Sequence, residues 1–174
     1  MYKKKCEILI RDFKEEDIEN KIKWINDINN NEYLHYCIPL NYDDTKKWFI
    51  NKDNSTRIDC VIEYLEIPVG LIGLLNIDKI NSKAEFYISM GDTNYKRKGI
   101  GYNSSKILLE YAFNDLKLNK VYLNVDADNV AACLLYEKLG FKVEGYFTED
   151  LCHKGKFIDR KRYAILKKDF ERKE

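Results

Sequence analysis

The sequence predicts an α/β fold built on a mixed sheet, and three observations lead to this class. Apolar residues recur on one broad face of residues 99–116, which is typical of an amphipathic helix. Residues 84–90 and 120–125, on either side of that helix, are short segments rich in strand-forming residues. The 174-residue chain has only two prolines and no Gly/Ser-rich linker, so we expect a single domain over residues 1–174.

The elements predicted in chain order are a strand, two helices, three strands, a helix, a strand, a helix and two strands. The strands are predicted over residues 6–10, 57–64, 69–77, 84–90, 120–125, 141–149 and 156–166. The helices are predicted over residues 14–29, around Trp48 and Phe49, and over residues 99–116 and 130–139. Asp43 or Asp44 is expected to cap the second helix, and turns are expected near Pro68 and at Lys154-Gly155. The result is a central sheet of about seven strands flanked by about four helices.

The balance of charges argues against partners that bind through a strong net positive charge of the protein. The chain has 30 Lys and Arg against 29 Asp and Glu, a formal net charge of +1. We therefore expect neither nucleic acid nor a membrane as a partner.

The five cysteines are odd in number and lack metal-ligand spacing, which indicates free, buried thiols and no metal site. No signal peptide or run of about 18 apolar residues is visible, so we expect a cytoplasmic protein.

The first motif with chemical content is Tyr95-Lys-Arg-Lys-Gly-Ile-Gly101, directly before the long predicted helix. The first N–H groups of a helix have no partner within it, and with the helix dipole they favour a phosphate group. Glycines let the backbone approach that group, and three basic residues add positive charge. By itself, a basic turn before a helix is more often a solvated helix cap than a phosphate-binding site. The spacing matches neither the nucleoside-triphosphate P-loop nor the dinucleotide fingerprint.

The second motif is Asn-Val-Ala-Ala-Cys-Leu-Leu-Tyr-Glu-Lys-Leu-Gly-Phe over residues 129–141. Asn129 begins the predicted short helix, and Tyr136 lies two turns later on the same face. Taken separately, Asn129 is a helix cap and Tyr136 is a half-buried aromatic residue.

Together the two motifs resemble the GNAT acetyltransferase superfamily. Its pyrophosphate loop has the pattern R/Q-x-x-G-x-G/A, and its following helix has N-x-x-A-x-x-L-Y-E-x-x-G-F. The resemblance extends over residues 84–166. Glu85-Phe-Tyr-Ile and Lys154-Gly-Lys-Phe-Ile-Asp159 are similar to the branch of ribosomal-protein alanine and bacterial spermidine N-acetyltransferases. One departure is Lys96, where the family usually has Gln or Arg.

The resemblance implies transfer of an acetyl group from acetyl-CoA to a primary amine, by direct attack in a ternary complex. In this family a strand pairs with the pantetheine arm, loop N–H groups hold the pyrophosphate, and the helix asparagine contacts pantetheine. The implied cofactor-binding residues are Ile88, Met90, Lys96, Arg97, Lys98, Gly99, Ile100, Gly101, Asn129, Ala132 and Tyr136.

Two residues are candidates for proton transfer. An amine attacks only as the neutral base, whereas a free alkylamine has a pKa of about 10.4, so a base must take its proton. Glu85 is our candidate for that base, and a cross-strand ion pair is its alternative role. Tyr136 holds the family position of the proton donor to the leaving thiolate.

The acceptor is expected to contact the loop of residues 29–39, which contains Glu32, Tyr33, His35 and Tyr36. Acidic and aromatic groups suit a cationic polyamine, and the same aromatic groups also suit a sugar or nucleotide. Trp24-Ile-Asn26-Asp27 is similar to the W-R-N pattern of acetyltransferases that act on nucleotide-linked amino sugars, but the Arg is absent.

We therefore rank a small amine, a polyamine or amino sugar, ahead of a protein N-terminus as the acceptor. A non-catalytic CoA-binding module is the competing class. A nucleic-acid-binding protein, suggested by the basic runs 96–98 and 160–162, ranks third. We also expect a homodimer.

Overall fold

The computed structural model describes residues 2–5 and 7–172, with side chains described for residues 7–172. The described residues form eight strands and five α-helices, with short 3-10 turns at Glu15–Asp17 and Thr93–Tyr95. The strands are β1 (Tyr2–Lys5), β2 (Ile8–Asp12), β3 (Ile58–Tyr64), β4 (Ile67–Asp78), β5 (Lys83–Met90), β6 (Lys120–Asp126), β7 (Lys142–His153) and β8 (Lys156–Leu166). The helices are α1 (Ile18–Asn26), α2 (Tyr42–Asn51), α3 (Ile100–Asn114), α4 (Val130–Leu139) and α5 (Lys167–Glu171).

Local hydrogen bonds explain where the structure departs from the predicted elements. The helix predicted to reach residue 29 ends at Asn26, because Asp27 Oδ1 accepts a hydrogen bond from the Asn29 N–H at 2.9 Å and turns the chain. Helix α2 is capped by Asn41, not by Asp43 or Asp44; Asn41 Oδ1 accepts from the Asp44 N–H at 2.9 Å.

The hairpin turn predicted near Pro68 is confirmed, although it precedes the proline itself. It is formed by Leu65 and Glu66, which have positive φ angles of 51° and 66°, and Pro68 lies inside β4. Strand β1 and helix α5 were not predicted. The predicted first strand appears as Ile8–Asp12, and Cys6 lies outside the described residues. Cys37, Cys60, Cys133 and Cys152 are free thiols as predicted, but Cys37 and Cys152 are exposed.

The chain divides into two compact units. The first comprises the chain up to Leu75 together with Tyr87–Leu108. Its strands follow the order β1-β2-β3-β4-β5, and the first four pair antiparallel. Its buried core contains Phe13, Ile18, Trp24, Val61 and Leu71, with Trp48 and Tyr87 packed against them.

A close approach in this unit places Tyr87. A Cβ atom on Gly73 of β4 would lie 2.5 Å from Cε1 of the Tyr87 ring. The ring therefore occupies the space that any larger residue at position 73 would need. This contact fixes the tyrosine ring against the sheet backbone.

The second unit comprises Asn76–Phe86 and the chain from Leu109 onward. Its strands follow the order β5-β6-β8-β7. Strands β5 and β6 are parallel, with Glu85 opposite Tyr122. Strand β8 is antiparallel to both β6 and β7. The predicted mixed sheet is therefore confirmed. The predicted turn at Lys154-Gly155 is also confirmed. The single-domain organisation stays a prediction.

None of the helices within the described residues has the length and hydropathy needed to span a membrane.

Candidate active site

The predicted pyrophosphate loop is an exposed basic turn at the start of α3. Arg97 and Gly99 have positive φ angles of 62° and 76°, and the helix begins at the next residue, Ile100. Lys96, Arg97, Lys98 and Gly99 are exposed, and Ile100 is buried. The first-turn N–H groups of α3 are thus presented from an exposed loop, as an anion site requires.

Contacts within the first unit leave the charges of this loop available. Lys96 Nζ donates to Asn30 Oδ1 at 2.9 Å, and Lys98 Nζ lies 5.0 Å from the centre of the Tyr95 ring. Neither these two lysines nor Arg97 forms a salt bridge within residues 7–172. The loop therefore offers three cations and unpaired backbone donors, which fit the phosphates of CoA.

A cavity of about 200 Å³ lies in the first unit. It is lined by Phe13, Lys21, Ile25, Tyr33, Leu34, His35, Tyr36, Trp48, Arg57, Asp59, Leu71, Leu75, Tyr87, Ile88 and Ser89. Three of the four predicted acceptor residues, Tyr33, His35 and Tyr36, are brought together there with Ile88 of β5. Glu32 is exposed and does not line the cavity, and neither does Met90 at the end of β5.

The segment Trp24-Ile-Asn26-Asp27 fastens the loop that carries these acceptor residues. Asn26 Nδ2 donates to the Leu40 carbonyl at 2.9 Å, and Asn26 Oδ1 accepts from the Leu40 N–H at 2.8 Å. Trp24 packs against Gly91, and Ile25 lines the cavity. The segment shapes the cavity wall.

Asp59 is the centre of a buried polar network beside the cavity. Its side chain is 3% exposed and its carboxylate accepts four hydrogen bonds. Two come from Arg57 (2.8 and 2.7 Å), one from Lys52 Nζ (3.1 Å) and one from the Tyr87 hydroxyl (2.9 Å). Burial acts to raise the pKa of Asp59, but the Arg57 hydrogen bonds and the Lys52 charge outweigh it and the pKa is lowered.

Lys21 of α1 places a second buried charge in the cavity wall. Its Nζ lies 3.1 Å from the centre of the Trp48 ring and 5.8 and 5.9 Å from the rings of Phe13 and Tyr36. Burial lowers its pKa to about 8; Asp59 opposes this shift, and the charges of Arg57 and Lys52 add to it. Lys21 forms no salt bridge within residues 7–172, so aromatic faces are the close partners of its ammonium.

Glu85 lies in the second unit, on β5, and is held by two neutral amides. Its carboxylate accepts from Asn76 Nδ2 at 2.8 Å and from Asn124 Nδ2 at 3.0 Å. Asn124 Oδ1 in turn accepts from Arg162 Nε at 3.2 Å. The cross-strand ion pair considered as the alternative role of Glu85 is not formed within the described residues.

Asn129, Ala132 and Tyr136 lie on or next to α4. Asn129 Oδ1 caps the helix by accepting a hydrogen bond from the Ala132 N–H at 3.2 Å. The cap occupies the Ala132 N–H and does not use the Nδ2 donor of Asn129. Tyr136 is 7% exposed and packs against the rings of Phe86, Phe141 and Tyr163. Burial raises the pKa of the Tyr136 hydroxyl, so it keeps its proton at neutral pH.

The sequence did not indicate four charged residues in and beside the cavity. These are Lys21, Lys52, Arg57 and Asp59. The one local signal is Asp59 within the apolar strand β3, two residues after Arg57, which directly precedes the strand. A charged residue in a buried strand indicates a partner, but the sequence does not show which residues supply it.

Both arginines of the basic run at residues 160–162 are engaged in other contacts. Arg160 pairs with Asp150, with its Nε donating at 2.6 Å. Arg162 contacts Asn124, and its guanidinium lies 4.7 Å from the centre of the Tyr122 ring. These contacts reduce the charge that the run could offer a nucleic-acid backbone. Within the described part of the chain, no group of three His, Cys, Asp or Glu side chains is placed to hold a metal ion.

Comparison with known proteins identifies the family. The family described as "Acetyltransferase (GNAT) domain" matches residues 7–142. The chain belongs to this family. It is 32% identical over 155 residues to the spermidine N(1)-acetyltransferase of Vibrio cholerae, which covers 86% of this chain and 89% of that relative.

Solved structures agree over nearly the whole chain. The crystal structure of spermidine N-acetyltransferase from Vibrio cholerae in complex with CoA and spermine has a TM-score of 0.87 and 26% identity, over 96% of this chain and 99% of that one. The dodecameric structure of that enzyme has a TM-score of 0.83 and 25% identity, over 98% and 100%. The GNAT fold is confirmed, and the chain is an acetyl-CoA-dependent N-acetyltransferase.

The buried ammonium of Lys21 predicts a specific pH dependence of stability. Because its pKa is about 8 in the folded protein against 10.5 ordinarily, the unfolded chain binds more protons between these values, and stability should rise with pH there. Below pH 8 the charge is retained and opposes folding. Lys21→Met should therefore be more stable than the wild type at pH 7, by about 1–3 kcal/mol after loss of the cation–π contacts.

The measurement is the free energy of unfolding in urea between pH 7 and 10. The control is Lys23→Met on the exposed side of the same helix. The difference between the wild type and Lys21→Met should shrink as pH rises, while the control difference stays constant. A constant difference for both variants would contradict the prediction.

Proposed function

We propose that the enzyme transfers the acetyl group of acetyl-CoA to a primary amine of a small molecule bound in the cavity, by direct attack in a ternary complex. The observation that carries the proposal is the grouping of Tyr33, His35 and Tyr36 with Ile88 of β5 around one cavity. In this way the residues expected to hold the acceptor adjoin the strand expected to hold the pantetheine arm.

A polyamine and an amino sugar are the two acceptor classes. The names of the Vibrio cholerae relative and of the spermine complex support a polyamine. The aromatic lining of the cavity also suits a sugar ring. A protein N-terminus ranks second, because a cavity of about 200 Å³ favours a small molecule.

Acetyl-CoA supplies an activated acyl group as a thioester. Backbone N–H groups from Arg97 to Gly101 and the neighbouring lysines hold the pyrophosphate in this proposal, with Ile88 and Met90 along the pantetheine arm. The Asn129 Nδ2 donor binds the pantetheine amide region, with Ala132 beside it. Catalysis then depends mainly on orientation, which lowers the barrier without a covalent enzyme intermediate.

Proton transfer is assigned to two side chains. Glu85 takes the amine proton through water, a role supported by a carboxylate that accepts only from neutral amides within the described residues. Tyr136 gives a proton to the leaving thiolate, a role supported by its place in the motif of residues 129–141 and by a hydroxyl that is protonated at neutral pH.

Assembly is part of the proposal. We expect single-domain chains to form a homo-oligomer, with the dimer as the smallest form, and the dodecameric structure of the Vibrio cholerae enzyme supports this.

The proposal is tested by following free thiol release from acetyl-CoA with spermidine, spermine, amino sugars and N-terminal peptides. Turnover is expected with a small amine and not with the peptides. Tight acetyl-CoA binding without turnover on any acceptor would favour the non-catalytic module, and absence of acetyl-CoA binding would contradict the cofactor assignment.

Tyr136→Phe removes the proposed proton donor and leaves the aromatic packing intact. We expect kcat to fall by about 10²-fold or more, because general acid catalysis contributes on that scale. The dissociation constant of CoA should change less than about twofold. Tyr42→Phe, which removes an exposed tyrosine hydroxyl, is the control and should retain full activity.

Glu85→Gln tests the base. We expect kcat/KM to fall by about 10²-fold at pH 7 and by less at pH 9.5, because more of the amine is then already neutral. Glu144→Gln, which removes a carboxylate paired with Lys120, is the matched control. Equal behaviour of the two variants would exclude Glu85 as the base.

A further inference from the structure

The cavity wall carries more positive than negative charge. Among its lining residues Lys21 and Arg57 are cations, and Asp59 is the only carboxylate. Lys52, outside the lining, adds a further cation bonded to Asp59. An ammonium that enters this cavity therefore meets like charges.

Asp59 cannot readily compensate that repulsion. A carboxylate has about four lone-pair sites, and Asp59 accepts four hydrogen bonds from Arg57, Lys52 and Tyr87. A ligand ammonium would have to displace one of these buried donors. Such an exchange leaves a donor without its partner, which is unfavourable in a buried network.

The aromatic surface is also already used by cations of the protein. Lys21 Nζ lies 3.1 Å from the centre of the Trp48 ring, and the guanidinium carbon of Arg57 lies 5.2 Å from it. Cation–π attraction at Trp48 therefore holds the enzyme's own charges. These are the contacts that a cationic polyamine would otherwise use in the cavity.

Lys21 in contrast has unused capacity for an anion. Its ammonium has three N–H donors, and no carboxylate within residues 7–172 forms a salt bridge with it. Arg57 directs Nε and Nη2 at Asp59 and keeps its side chain 26% exposed. A phosphate or carboxylate against these two groups would gain charge-assisted hydrogen bonds and relieve the repulsion between the cations.

We propose that Lys21 and Arg57 select an acceptor whose molecule carries an anionic group, phosphate or carboxylate, beside the amine that is acetylated. A free polyamine, whose remaining nitrogens are cations, is the poorer acceptor. This assignment rests on the proposed function, since it takes the cavity to be the acceptor site.

The test uses pairs of amines that differ only in the anion. Glucosamine 6-phosphate is compared with glucosamine, and 4-aminobutyrate with butylamine, so the two pairs separate a phosphate from a carboxylate. Spermidine is assayed beside them. We expect kcat/KM for one member with the anion to exceed that of its partner without it, and that of spermidine, by at least about tenfold.

Lys21→Met should reduce that preference about tenfold and improve the relative use of spermidine, because one cation is removed. Lys23→Met, on the same helix but exposed, should leave the preference unchanged. Equal kcat/KM within both pairs, or an anion preference that both variants retain in full, would overturn the proposal while acetyl transfer itself stands.

Binding is measured independently of turnover by tryptophan fluorescence, since Trp48 is one of the chain's two tryptophans and contacts Lys21. Glucosamine 6-phosphate or 4-aminobutyrate should quench it in the wild type and Lys23→Met, with at least about tenfold weaker binding in Lys21→Met. Failure of both anionic compounds to bind would overturn the selection by Lys21 and Arg57. Binding that depends on Lys21, without thiol release, would support the selection and count against the transfer reaction.

Discussion

The buried carboxylate of Asp59 is the constraint on which the cavity in the first unit depends. It lies on β3, and its partners come from three places in the chain: Arg57 on the adjoining loop, Lys52 after α2 and Tyr87 on β5. A buried charge is tolerated only when it is paired and hydrogen-bonded, so these donors must be present together. The network thereby fixes the end of α2 and the Tyr87 ring, which rests against Gly73, at one point of the wall.

The proposed cofactor site and the proposed acceptor site depend on different kinds of interaction. The proposed cofactor site consists of short motifs, in which backbone N–H groups and the Asn129 side chain are positioned by local geometry. The proposed acceptor site is instead built by contacts between residues distant in sequence, such as Lys21 on Trp48 and Asn26 on Leu40. Family membership therefore says much about acetyl-CoA and less about the amine, since chemistry within one fold is decided by the site.

The sequence was sufficient where local rules act alone. Helix α4 has the predicted bounds, 130–139, because Asn129 caps its start and Gly140, with a φ of 103°, ends it. Three of the four predicted acceptor residues line the cavity and Glu32 does not, and their contact with an acceptor stays a prediction. The end of α1 was placed wrongly, because the Asp27 turn gives no strong pattern in the sequence. Asp59 and Lys21 could not be paired from sequence, since their partners are distant along the chain.

The conformation of Arg97 has a consequence for how this loop can vary. A residue other than glycine with a φ of 62° carries a conformational penalty of roughly 1 kcal/mol or more. Glycine at this position would relax the backbone but remove a guanidinium from the loop. The residue type is thus a compromise between conformational energy and charge, and substitutions selected for thermal stability alone would tend to erode it.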